Sequence, residues 1–251
     1  MMADNVLACV EDSIFYLDLH RADSRNTLDA RLVSDLRLAL SECEGTATVV
    51  VLEGAPEVFC LGADFGEVAA QERSRPADAE PFYDLLLQLA EGPYITIAHV
   101  RGQANAAGVG LAAACDMVIA AQTARFSLSE LLFGLHPACV FPFLASRVGF
   151  QHAHYLALTT HPIEAPQACA WGLVDAYGPS SDDILRRHLQ RIRRFSKRAI
   201  VQYKSYARAM HCQAREAKSR AVAENRRLFS NPESLAAIRR FVETGALPWE
   251  P

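Results

Sequence analysis

Residues 95–116 read ITIAHVRGQANAAGVGLAAACD. The first part, ITIAHVRG (95–102), is a near-continuous apolar run, the pattern of a strand covered on both faces. The last part, AAGVGLAAACD (106–116), predicts a helix of small residues, which neighbours must pack very closely. Between them the chain passes from strand end to helix start around Asn105-Ala106-Ala107-Gly108-Val109-Gly110. Amides at a helix start have no intrahelical acceptor. They point outward, and the helix dipole suits them to negative charge.

Upstream the pattern recurs. ATVVVLE (47–53) is a second buried strand, Gly54-Ala55-Pro56 a turn, and Phe59-Cys60-Leu61-Gly62-Ala63-Asp64-Phe65 again joins a strand end to a helix start. Two such amide sources facing one point would form an oxyanion hole. Taken singly, each is structural more often than catalytic. Residues 6–19 predict two short strands around a polar turn, and the run from Leu28 to Leu40 a helix stopped by Gly45. Residues 69–81, polar with two prolines, predict a surface excursion. Residues 82–91 predict a helix with Phe82, Leu85, Leu86 and Leu89 on one face, and MVIAA (117–121) a third strand. This order of strands and helices is that of an α/β core. After about residue 180 the chain turns to long charged helices, so 1–180 reads as the core and 181–251 as a C-terminal helical region.

Composition narrows the function classes. The chain has 251 residues, 51% of them hydrophobic, enough for one α/β domain with an ample core. A net charge of −4 gives no general electrostatic case for nucleic acid or membrane. The seven cysteines are scattered and never form CxxC, which argues against a disulfide framework or a metal site and for a reducing cytoplasm. MMADNVLACVEDS shows no basic segment followed by an apolar run, so no signal peptide is expected. No apolar stretch approaches the length of a membrane span.

FCLGADF, GQANAAGVGLAAACD and SLSELLFGLHP, in this order and separation, resemble the enoyl-CoA hydratase/isomerase (crotonase) superfamily. The resemblance runs from HRADSRNTLDARL to RRFVETG. It implies an α/β crotonase spiral of ββα units, a C-terminal helical trimerisation region, a homotrimer or hexamer, and a thioester substrate on a pantetheine arm. It puts oxyanion amides at Ala63 and Ala107, with Gly62 and Gly108 beside them against substrate. Family hydratases carry two glutamates. The first falls at Gly110 here; the second is Glu130, in an apolar run with Leu128, Leu131, Leu132 and Phe133. Desolvation there predicts a raised pKa suited to proton shuttling.

Lysines that the family places against coenzyme A correspond here to Gly66 and Thr244. Their loss shifts the expected substrate toward an acyl carrier protein, with no other cofactor. Carrier proteins are acidic, and RRHLQRIRRFSKR (186–198) carries seven Arg or Lys and no acid. Arg193, Arg194 and Lys197 are therefore carrier-docking candidates, against a plain solvated face or a nucleic-acid patch. VVVLEGAPEVFCLGADF, FSLSELLFGLHPACVFPFL and FVETGALPWE further resemble the dehydratases of polyketide β-branching cassettes. These turn a carrier-bound 3-hydroxy-3-methylglutaryl group into 3-methylglutaconyl. The rival readings are the sister decarboxylase, an ordinary enoyl-CoA hydratase or isomerase, and a crotonase-fold binding protein. Asp64, Tyr83, Asn105 and His136 are candidates for a second acid or an orienting group. Asp64 and Asn105 could instead cap their own turns, and Tyr83 could be a half-buried helix residue.

Overall fold

The apolar runs become the centre of a six-stranded sheet in the computed structural model, which describes residues 5–70, 78–210 and 212–250. In chain order the elements are β1 (Val6–Glu11), β2 (Ile14–Leu19), α1 (Ala30–Cys43), β3 (Val49–Glu53), β4 (Val58–Cys60), α2 (Phe65–Ala70) and α3 (Glu80–Glu91). There follow β5 (Ile95–Val100), β6 (Gln103–Asn105), α4 (Ala107–Ala114), β7 (Met117–Ala121), β8 (Arg125–Ser127), a 3-10 turn at Glu130–Phe133 and α5 (Phe141–Thr159). The remainder is β9 (Ile163–Glu164), α6 (Ala165–Ala170), β10 (Ala176–Gly178), α7 (Ser181–Ile192), α8 (Lys197–Met210), α9 (Gln213–Leu228) and α10 (Pro232–Thr244).

One sheet has the order β1-β2-β3-β5-β7-β10, the other β4-β6-β8-β9. Each of the pairs β3/β4, β5/β6 and β7/β8 gives its first strand to the large sheet and its second to the small one. This is the ββα spiral. The predicted strand over 95–102 ends at Val100, because the chain changes sheets at Arg101-Gly102 and continues as β6. Strand pairing is parallel except at β1/β2 and β8/β9. Residues 71–77 of the predicted surface excursion lie outside the described residues.

One core fills the space between the sheet, α1, α3, α4 and α5. A second layer packs Ile184, Leu185, Leu189 and Ile192 of α7 on the opposite face, over Ile14, Val49, Val51, Ile97 and Ile119. Buried His99 bonds Glu53 at 2.6 Å and Ser181 at 2.9 Å. Ser181 is itself buried in the first turn of α7, so this trio ties that helix to the sheet and offers no accessible nucleophile. The boundary near residue 180 therefore marks a change in sequence character, not a gap in packing. At the far end α10 folds back on α2 and the 3-10 turn. Phe65, Phe133 and Phe241 meet edge-on there, with ring centroids 4.9 to 6.3 Å apart. No helix among the described residues is long and apolar enough to cross a membrane.

Candidate active site

Strand β4 ends at Cys60, and Gly62 turns the chain with φ +94. Leu28 then pairs with Ala63 in an isolated parallel bridge: Leu28 N–H donates to Gly62 O at 2.7 Å, and Asp64 N–H to Leu28 O at 3.0 Å. In this pattern the N–H of Ala63 itself points away from Leu28. Ala107 opens α4, so its N–H has no acceptor within the helix. The preceding Ala106 has φ 50, a left-handed conformation costly for any residue with a Cβ. Its N–H donates to Ser127 O at 2.9 Å, which helps hold it there.

The two turns touch. A Cβ on Gly62 would lie 2.8 Å from Ala106 Cβ and 3.4 Å from Ala107 N. A Cβ on Gly108 would lie 2.2 Å from Cys60 O. Only glycine fits at either place, and the fit brings Ala63 and Ala107 to neighbouring positions. Pre-set donors of this kind can stabilise a developing oxyanion. Cys60 lies in the same turn, but burial pushes its thiol up to about 12 despite an opposing hydrogen bond from the Gly62 backbone.

Glu130 is the first residue of the 3-10 turn, which Gly134 closes at φ 68. The residue as a whole is half-buried, but its Oε2 is shut off from solvent and has no hydrogen-bond partner among the described residues. Burial raises its pKa to about 7; the backbone N–H groups of Glu130 and Ser129 act in the opposite sense. It is a carboxylate that can gain or lose a proton near neutrality. Where the family's first glutamate would stand, a Cβ on Gly110 would come 2.9 Å from Val140 Cγ2 and 3.6 Å from Phe82 Cζ. Apolar side chains have taken that space. Nothing in the sequence pattern pointed to Val140.

The structure removes three of the four candidates for a second acid. Asp64 caps α2 by accepting from Glu67 N–H at 3.1 Å, and it also accepts from Thr27 Oγ1 at 3.0 Å and Arg21 at 3.3 Å. Burial would push its carboxyl up, but these partners and the Gly66 N–H outweigh burial and hold it below the ordinary carboxylate range. Tyr83 is fully buried against Phe143 and donates its hydroxyl to Ala214 O, so it is core and not a closing group. Burial raises its pKa further. His136 is half-buried and pairs with Glu224 at 3.0 Å. Asn105 does lie in the site, with its side chain bonded to Ser127, Ser129 and Leu61.

The basic stretch also needs correction. It is not one helix: α7 ends at Ile192 and α8 begins at Lys197. Lys197 donates to Ala47 O at 2.6 Å and lies over the Tyr94 ring, so it is turned inward. Arg193 pairs with Asp12 at 3.0 Å, and Arg194 is exposed. Asp12 and Ala47 lie where β2 and β3 begin, whereas Ala63 and Ala107 lie beyond the ends where β3 and β5 finish. Gly66 is exposed beside Asp64, and the Thr244 hydroxyl bonds its own helix at Arg240 O. Among the described residues no group of three His, Cys, Asp or Glu could hold a metal ion.

Residues 10–251 match the enoyl-CoA hydratase/isomerase family. The chain is 49% identical over 242 residues to the Bacillaene synthase dehydratase PksH of Bacillus subtilis, covering 95% of this chain and 93% of that protein. It is 31% identical to the 2,3-dehydroadipyl-CoA hydratase of Escherichia coli, over 88% of this chain and 87% of that one. The crystal structure of the polyketide biosynthesis enoyl-CoA hydratase pksH from Bacillus subtilis superposes with a TM-score of 0.95 at 46% identity, over 98% of this chain and 100% of that one. An enoyl-CoA hydratase from Mycobacterium avium gives 0.84 at 26%, over 99% and 100%. With the spiral, the paired strand-end turns and the match across nearly its whole length, the chain belongs to the enoyl-CoA hydratase/isomerase family.

Proposed function

We propose that this enzyme is a hydro-lyase that dehydrates a 3-hydroxy-3-methylglutaryl thioester, carried on the phosphopantetheine of an acyl carrier protein, to 3-methylglutaconyl during polyketide β-branching. The observation that carries the reading is Glu130: a carboxyl whose Oε2 is shut off from solvent with no hydrogen-bond partner among the described residues, and whose pKa burial raises to about 7. Likeness to a relative named as the Bacillaene synthase dehydratase, and to a solved structure named for polyketide biosynthesis, supports the substrate class.

The N–H groups of Ala63 and Ala107 bind the thioester oxygen. Glu130 takes a proton from the carbon next to the carbonyl, and the two amides stabilise the enolate. Losing one such donor costs about 3 kcal/mol of barrier. The enolate electrons then form the alkene as the C–O bond of the tertiary hydroxyl breaks, and Glu130 returns its proton so that water leaves. With Val140 against Gly110, no second carboxylate stands there, so one group serves both transfers on one face of the substrate. The reaction calls for no cofactor.

Gly66 and Thr244 in place of family lysines favour a carrier protein over free coenzyme A. Carrier docking falls to Arg193 and Arg194, and the assembly is a homotrimer or hexamer. Incubating the 3-hydroxy-3-methylglutaryl carrier protein with the enzyme, followed by mass spectrometry, tests the reading. Loss of water supports it; loss of carbon dioxide would make the chain a decarboxylase instead.

A further inference from the structure

Glu130 and the two amides arrive from three segments distant in sequence, and one side chain bonds or belongs to all three. Asn105 ends β6 and pairs in register with Ser127 on β8. Its Oδ1 accepts from Ser127 Oγ at 2.9 Å. Its Nδ2 donates to Ser129 Oγ at 2.8 Å and, at 3.4 Å, to Leu61 O. A carbonyl can only accept, so Leu61 fixes which end of the amide is which. Leu61 stands two residues before Ala63, Asn105 two before Ala107, and Ser129 one before Glu130. Both ends of the amide are occupied, which leaves Asn105 poorly placed to touch substrate.

We propose that Asn105 is a positioning residue: its side-chain amide holds the turn that carries Glu130 against the two strand ends that carry the Ala63 and Ala107 amides. This rests on the site assignment above. An aspartate could not donate to Leu61 O, and an aliphatic residue could bridge nothing. Misplacing a reacting group by an ångström costs on the order of 100-fold in rate. The tie therefore acts on turnover, while pantetheine binding is left to other contacts.

The test compares Asn105→Ala, Ser129→Ala, Ser129→Thr and the double alanine variant on the carrier-bound 3-hydroxy-3-methylglutaryl thioester. Each alanine change is expected to lower kcat by at least about 10-fold with KM held within about 2-fold. Because both variants remove the Asn105–Ser129 bond, the double variant should be no worse than the poorer single within about 3-fold. Ser129→Thr, which keeps the hydroxyl, should recover most of the rate. Multiplying losses, an unchanged kcat, or a loss that threonine fails to recover would overturn the proposal. Should Asn105→Ala not fold, the two Ser129 variants decide the matter by themselves. A carbon-13 titration of the Glu130 carboxyl needs no substrate. Loosening the turn should move its midpoint from about 7 toward ordinary carboxylate values. An unmoved midpoint in folded Ser129→Ala overturns the proposal even if the parent enzyme proves inert on this thioester, a result that would count only against the assigned reaction.

Discussion

Glu130 is stressed by its site, and the strain has a sign. Its folded pKa of about 7 stands above the ordinary value of 4.5, so folding disfavours its charged form. That cost is absent below the unfolded value, grows between 4.5 and 7, and is complete above 7. Glu130→Gln should therefore raise stability at pH 8 by up to about 3 kcal/mol and leave it unchanged at pH 4, as denaturant melts at the two pH values would read. The same change should lower kcat by about 100- to 10,000-fold, the range for a lost general base. In the parent, kcat/KM should rise about tenfold per pH unit and level off above about 7, since the base must be ionised. A profile flat from pH 5 to 8 would remove Glu130 from the proton transfer. Gly110→Glu, which restores the family's first carboxylate in name, should not restore a second catalytic acid. Its Cβ alone meets Val140 at 2.9 Å, so the variant should lose about 1–3 kcal/mol of stability and gain no rate.

The elements that build the site are those the sequence announces most clearly. Helix α4 is apolar on every side, and all its residues after Ala107 are buried. Its small side chains let the backbone approach β4 until Gly108 touches Cys60 O. Gly108→Ala should separate α4 from β4 and cost about 1–3 kcal/mol together with most activity; circular dichroism melts and turnover read both. The backbone turns were legible because their chemistry lies in local composition. Glu130 was legible for the same reason, since its apolar neighbours are adjacent in the chain. Side-chain partnerships were not. Tyr83 finds Ala214 across 131 residues, Lys197 finds Ala47 across 150, and Asp64 finds Arg21 across 43. Each stayed a candidate functional group beside its structural alternative, because spacing along the chain carries no trace of such a partner. Of the second sheet only the end of β4 was legible in the residue pattern, because β6 and β8 have three residues each and β9 two, too short to show a period.

At the scale of the molecule, the C-terminal helices complete the site region and are not a detachable tail. Phe241 of α10 meets Phe65, two residues after Ala63, and Phe133, three after Glu130. Phe241→Ala should cost about 3 kcal/mol and loosen both segments, so kcat should fall along with the melting temperature. Removing α10 altogether would bare Val68, Phe133 and Leu135 as an apolar patch and promote association. Charge at this scale concerns the carrier. Arg193→Glu with Arg194→Glu should raise KM for the carrier-bound substrate several-fold and leave KM for a free pantetheine thioester unchanged. An unchanged carrier KM would move docking to another face.

The proposed function turns on one reaction of one carboxylate. Mass spectrometry of 3-hydroxy-3-methylglutaryl carrier protein, incubated with the parent enzyme and with Glu130→Gln, tests it most directly. The parent should remove water, and the variant should leave the thioester almost untouched. Equal dehydration by both proteins, or loss of carbon dioxide in place of water, would contradict it.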